Sequence, residues 1–302
     1  LVVQRLVGEY LAHQGGAVEV YLIYKEGWDP GPLYGRARQI PIKLFRLPKF
    51  SGFFSYAYFF LACRVRFDII HFPRPALHPL FWFLKVFRKT RRITATFHGA
   101  PESKNIPIFE TWFNRFNRWF IILFGQFFID AVLADSLGAV PQLIHYYHLP
   151  ARKVKSILLG VDANFRPLEH GEERERAKHL LRERYRIPFP YLLTVARLDP
   201  HKNVHRLIKA FHAVRERMHI PHHLVIVGGR HEPVYSRFVE DMIVRLGVSD
   251  VVHLPPFIED ADLPGLYALA DIFLFVSLSE GFGLPLVEAM ASGAPSIASS
   301  LS

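Results

Sequence analysis

Short, uninterrupted apolar runs alternate along this chain with longer stretches in which apolar residues recur every three or four positions. The runs VEVYLIY (18–24), FDIIHF (67–72), RITATFH (92–98), AVLADS (131–136) and KSILLG (155–160) predict five strands. YLLTVAR (191–197), HLVIVGG (223–229), VVHLPP (251–256) and DIFLFVS (271–277) predict four more. Runs of this length suit strands buried on both faces of a parallel sheet. Between them, HRLIKAFHAVRERM (205–218) and SRFVEDMIVRLG (236–247) carry helical periodicity. Strand and helix take turns as in a doubly wound α/β fold, and no repeat at solenoid spacing is present. The charge-rich EHGEERERAKHLLRERYR (169–186) predicts a solvated helix at a domain junction, with a first Rossmann-like domain at 1–168 and a second at 169–302.

The same pattern predicts that both domains extend past the ends of the chain. LVVQRLVGEYLAHQGG opens as an amphipathic helix closed by glycines, where a Rossmann-like domain would start with a strand and a Gly-containing loop. SIASSLS (296–302) reads as a strand after which further α/β units are expected.

Composition narrows the class. At 302 residues, half of them hydrophobic, the chain can fill two cores. Its one cysteine, Cys63, excludes an internal disulfide and fits a reducing, cytoplasmic compartment. No apolar run reaches the roughly 18 residues of a spanning helix, because Lys49, Arg64, Lys85 and Arg118 interrupt the nearest ones. Charge is unevenly divided. Residues 1–168 carry 22 Lys and Arg against 10 Asp and Glu, while residues 169–302 carry 15 against 17. Aromatics crowd the basic half, in 44–60, 79–92 and 109–128. Two readings of these segments stand side by side: core helices with basic rims, or a peripheral surface for anionic lipid. Nucleic acid is set aside, since no recognisable nucleic-acid motif accompanies the charge.

Candidate chemistry concentrates in SEGFGLPLVEAMASG (279–293), where Glu280 closes the last internal strand and a Gly-rich turn opens a helix. Gly281 and Gly283 permit a tight turn, and Pro285 suits the first helical turn, whose outward amides and positive dipole end favour an anion. Glu288 falls about one turn into that helix and can reach the same crevice, and a carboxylate can grip two adjacent sugar hydroxyls. Alone, Glu288 could equally be a first-turn acid complementing the dipole. Arg197 and Lys202, in the loop after YLLTVAR, can meet one anion, the first as a fork and the second as a point charge. The 16 histidines show no His-Glu-x-x-His pattern, and Asp260 and Asp262 are expected to cap the helix DLPGLYALA, so no metal site is predicted.

The segment 279–293 resembles the Glu, seven residues, Glu signature of retaining glycosyltransferases with the GT-B fold, in particular family 4. LLTVARLDPHKNVHRLIKAF (192–211) resembles that family's donor-phosphate segment, ILLGVDANFRP (157–167) its interdomain segment, ITATFHGA (93–100) its acceptor-side His loop, and LVIVGG (224–229) the strand and turn near the nucleotide base. Leu159 and Gly99 depart from its usual Asn and Asp. The resemblance implies two Rossmann-like domains facing each other across a cleft, and a nucleoside-diphosphate sugar as donor. It also implies retention and no cofactor or metal. Carried over residue by residue, Arg197 and Lys202 hold the diphosphate and Glu280 accepts donor-sugar hydroxyls beside the amides of Phe282, Gly283 and Leu284. Glu288 grips the ribose, Gly228 and Ile258 lie near the base, and His98 faces the transferred sugar. The implied reaction is transfer of a mannose- or glucose-type hexose to a glycan or lipid-linked sugar, in cell-surface polysaccharide or glycolipid synthesis. An inactive sugar-nucleotide-binding subunit and a GT-B epimerase or phosphorylase relative are the alternatives.

Overall fold

The computed structural model describes residues 20–25, 37–42, 51–73, 78–98, 119 and 121–300. They fall into two compact units divided between residues 159 and 160. The amphipathic opening helix expected at 1–16, and residues 44–50 and 109–118 of the aromatic segments 44–60 and 109–128, lie outside the described residues.

In the first unit, β1 (Tyr21–Lys25) pairs in parallel with β2 (Arg38–Ile42). A four-stranded parallel sheet runs in the order β3-β4-β5-β6, made of Phe67–Phe72, Thr90–Phe97, Ala131–Ala134 and Val154–Ser156. Its core gathers Ile70, Ile93, Ala95, Phe97 and Val132 from the strands with Leu80, Phe81, Phe83 and Leu84 from the helix His78–Val86. That helix accounts for the aromatic segment 79–92 in part: one face packs, while Trp82, Val86 and the adjoining Phe87 are exposed.

The second unit has a five-stranded parallel sheet in the order β11-β10-β7-β8-β9, built from Ser296–Ala298, Ile272–Phe275, Tyr191–Val195, His223–Val227 and Val252–His253. The chain therefore winds outward from β7 through β8 to β9, then returns to the other side of β7 for β10 and β11. This reversal places the topological switch point between β7 and β10, whose carboxyl ends open a crevice where such sheets bind ligands. Both faces are covered. Leu224 and Ile226 enter one core with Leu207, Ile208 and Phe211 of the helix Val204–Met218, while Val225 and Val227 enter the other with Tyr267, Phe273 and Ala289. Two buried faces are the reason these strands read as unbroken apolar runs.

Several strands stop short of their apolar runs. The run 251–256 yields only Val252–His253, since Pro255 and Pro256 have no N–H for a ladder. Residues 160–168, counted in the first domain by sequence, belong to the second unit, because Phe165 and Leu168 pack on its core and the Phe165 ring meets Tyr267 edge-on at 5.8 Å. The helix expected at 169–186 spans Glu172–Tyr185.

Gly228 couples β8 to β7. Its φ is +155°, and a Cβ there would stand 2.2 Å from the Ala196 carbonyl oxygen. Gly228→Ala should therefore lose about 1–3 kcal/mol of stability, because backbone must move to admit the methyl group. Gly229→Ala is the control, as a Cβ there meets nothing within 4 Å. Equal denaturant midpoints for the two variants would refute the close approach.

Candidate active site

The loop after β7 and the loop after β10 meet at the switch point. Leu278 N–H donates to the His201 carbonyl at 2.8 Å, and Asn203 Nδ2 donates to the Val276 carbonyl at 3.2 Å. Asn203 is buried with left-handed backbone (φ 60°), the N-cap conformation from which Val204–Met218 departs. These bonds bring Lys202 and Glu280, 78 residues apart in sequence, into a hydrogen-bonded ion pair in which each side chain is 14% exposed. At that burial a charged pair is screened less than at the open surface. His201 beside them is pushed below the ordinary histidine value by burial and then by the Lys202 charge. The cation at this point is thus supplied by Lys202.

Arg197 points elsewhere than Lys202. Its guanidinium lies 3.2 Å from Asp199 Oδ2 and is more than half exposed. The two cations expected to share one anion stand in one loop, each held by its own carboxylate. Glu288 accepts a hydrogen bond at 2.9 Å from Tyr267 Oη. Burial, then the Glu288 charge, raise the Tyr267 pKa above the ordinary tyrosine value, so the hydroxyl keeps its proton and remains a donor. Glu288 is thereby fixed by a buried ring rather than left as a mobile first-turn acid.

Gly283 precedes the helix Leu284–Ala291 with φ +87°, and a Cβ there would press on the Phe275 ring at 3.3 Å. Glycine lets the chain turn there against β10, and its carbonyl accepts the Leu286 and Val287 N–H groups at 2.9 and 3.4 Å, which opens the helix. Phe282, Gly283 and Leu284 all lie in this turn. Ile258 is 3% exposed within the core, so its side chain is structural and only its backbone could serve a ligand. Asp262 precedes the helix Leu263–Ala268 without capping it: its carboxylate accepts from Tyr185 Oη at 2.5 Å and Arg184 at 2.9 Å instead.

His98 belongs to the first unit, one residue past β4. Its Nδ1 donates to Asp135 Oδ2 at 3.1 Å, and its Nε2 lies 3.2 Å from the Pro73 carbonyl oxygen. Asp135 is buried, and its Oδ1 has no hydrogen-bond partner among the described residues. Sequence reasoning missed the partners Asp199, Tyr267 and Asp135. Of these only Asp199 carried a local signal, as an acid between two expected phosphate-binding cations.

Comparison with known proteins places this geometry. Residues 2–165 match the model of Glycosyltransferase Family 4, and residues 172–302 match that of Glycosyl transferases group 1. The serotype-specific mannosyltransferase WbdA of Escherichia coli is 31% identical over 173 residues, 57% of this chain and 21% of that protein. Mannosylfructose-phosphate synthase of Agrobacterium fabrum is 30% identical over 173 residues, 56% of this chain and 37% of that one. The chain thus spans well under half the length of these relatives. Among solved structures, Anabaena Alr3699/HepE in complex with UDP and glucose superposes with a TM-score of 0.74 at 18% identity, covering 98% of this chain and 76% of its own. Sucrose-phosphate synthase of Thermosynechococcus elongatus does so at 0.74 and 22%, covering 99% and 75%. These likenesses carry the fold, that of GT-B glycosyltransferases. With parallel doubly wound sheets, a switch-point loop holding Arg197 and Lys202, and a family model matched over more than half its length, the chain belongs to glycosyltransferase family 4.

Proposed function

We propose that the protein transfers a hexose, of mannose or glucose type, from a nucleoside-diphosphate sugar to a hydroxyl of a glycan or lipid-linked sugar, with retention, in synthesis of a cell-surface polymer or glycolipid. The observation that carries this reading is the Lys202–Glu280 ion pair at the switch point of the second sheet, with Arg197 in the same loop as Lys202. A donor entering there offers each group a better-matched partner. Lys202 can exchange Glu280 for the diphosphate, and Glu280 can exchange Lys202 for sugar hydroxyls. Arg197 and the positive dipole end of Leu284–Ala291 add positive potential where charge builds up on the leaving diphosphate. Glu288, held by Tyr267, accepts the ribose hydroxyls, and the backbone around Gly228 and Ile258 lies toward the base. His98, oriented by Asp135, hydrogen-bonds the transferred sugar. The chain's own cations meet the diphosphate charge, so a chelator is expected to leave activity intact.

Thermal shift against UDP, GDP and ADP and their sugars tests the reading, since a ligand at 100 times its dissociation constant stabilises by about 2.7 kcal/mol. A shift with at least one nucleotide sugar, and turnover of it unaffected by EDTA, is expected. No shift with any member of the panel would overturn the proposal, and loss of activity to EDTA with rescue by a divalent ion would overturn its metal-free form.

The first unit supports a peripheral site on an anionic, cytoplasmic membrane face. It exposes Tyr58, Trp82, Phe87, Trp119 and Phe127 together with Arg88, Arg91 and Arg92. Among the described residues no helix is long and apolar enough to cross a membrane. Aromatic side chains settle at the interface and each basic residue near it contributes about 1 kcal/mol. Co-sedimentation with vesicles containing anionic lipid is expected at low salt and should fall steeply by physiological salt. Equal binding to neutral vesicles, or none at all, would return the acceptor to solution.

A further inference from the structure

Asp199 is 6% exposed although it stands in a loop at the ligand end of the sheet. Its Oδ1 accepts from His231 Nδ1 at 2.8 Å, and its Oδ2 lies 3.2 Å from the Arg197 guanidinium, at ion-pair distance without the alignment of a straight hydrogen bond. Its backbone is engaged as well: the N–H donates to the Arg197 carbonyl at 2.8 Å, and the carbonyl accepts from the Lys202 N–H at 3.0 Å. The loop from Arg197 to Lys202 is therefore folded around this one residue, and His231 ties it to the loop that follows β8.

A buried carboxylate is costly unless it is paired, and next to a site for a diphosphate its charge works against the ligand. Such a group is useful there only through what it holds. The Arg197 side chain is long and half exposed, and unheld it would lose several rotamers' worth of entropy on meeting an anion. We propose that Asp199 is a positioning residue, whose buried carboxylate, braced by His231 from the neighbouring loop, presets the Arg197 guanidinium for the diphosphate. The inference rests on the reading of Arg197 as a diphosphate contact. Asp199 itself touches no substrate, and His231 acts by fixing the carboxylate.

Calorimetric titration of the full chain with UDP and GDP, and with uridine and guanosine as references, tests this in Asp199→Asn, His231→Gln, Arg197→Ala and the double variant Arg197→Ala/Asp199→Asn. Asp199→Asn should weaken the nucleoside diphosphate that binds about five- to tenfold, and His231→Gln about two- to threefold, with nucleoside affinity unchanged; on the Arg197→Ala background Asp199→Asn should add nothing, the signature of residues that act as one unit. A structural role alone would lower nucleoside and nucleoside diphosphate affinity together, or add its loss to that of Arg197→Ala, and either result overturns the proposal. If Arg197→Ala weakens the diphosphate while Asp199→Asn does not, the positioning role fails and the proposed function stands. If Arg197→Ala has no effect on diphosphate affinity, both fail. Should Asp199→Asn not fold, His231→Gln carries the same comparison, its loss expected to vanish on the Arg197→Ala background.

Discussion

Glu280→Gln is expected to slow sugar transfer about 10²- to 10³-fold, on the scale of losing one preorganised electrostatic contact, while nucleoside diphosphate affinity stays level or rises. The unusual half of this expectation comes from Lys202. Its ammonium is bonded to the Glu280 carboxylate, so a diphosphate must compete with that carboxylate for it. Glutamine keeps the size and a hydrogen-bonding oxygen but removes the competing charge, which leaves Lys202 more available to phosphate. The transferred sugar, by contrast, loses the anionic acceptor for its hydroxyls. Single-turnover rates and calorimetric affinities measured on the same preparation separate the two effects. Unchanged transfer, or parallel losses of rate and of nucleoside diphosphate affinity, would remove Glu280 from the donor sugar.

Lys202→Ala should cost more than its own charge. It leaves Glu280, only 14% exposed, as a carboxylate without its cation beside the incoming diphosphate. A loss of roughly 2–4 kcal/mol in kcat/KM is expected from the missing stabilisation, with repulsion from Glu280 adding to it. Adding Glu280→Gln should relieve that repulsion, so the double variant is expected to bind nucleoside diphosphate better than Lys202→Ala alone. The cycle thus reads the coupling between the two residues directly. Strict additivity in nucleoside diphosphate binding would show that the pair does not share the site.

Much of this arrangement was legible in the sequence, and the limits have physical causes. The strand Ile272–Phe275 falls inside DIFLFVS because burial on both faces writes itself directly into composition, whereas Phe67–Phe72 coincides with its run although among the described residues it is an edge strand with Asp68, Ile69 and His71 exposed. The strand Arg38–Ile42 was not foreseen: it carries Arg38, Gln39 and Pro41, and only its pairing with Tyr21–Lys25 identifies it. Positions of Arg197, Lys202, Glu280 and Glu288 could be placed at strand and helix ends by pattern alone. Their partners could not. Whether Lys202 faces Glu280 or Asp199 depends on how two loops cross, and that crossing is fixed by backbone bonds such as Leu278 to His201, which leave no trace in residue type. Asp262 shows the same limit in reverse. A carboxylate before a helix suggests a cap, but Tyr185 and Arg184 arrive from a distant helix and take it. The aromatic segments divided between both expectations, since Phe81 and Phe83 are buried while Trp82 and Phe87 between and after them are exposed.

Strand β8 buries Leu224 and Ile226 on one side and Val225 and Val227 on the other, so a polar substitution at any of the four wounds one core or its opposite. The residues just beyond its end carry no such double duty, except Gly228, where the backbone of Ala196 leaves no room for a side chain. Heritable change is thereby channelled. Drift within the strand is confined to aliphatics of similar volume, whereas exposed positions in the loop beyond it, such as Arg230, can change at small cost to folding. A lineage built on this sheet can explore new ligands at the crevice while the scaffold that presents them stays nearly still.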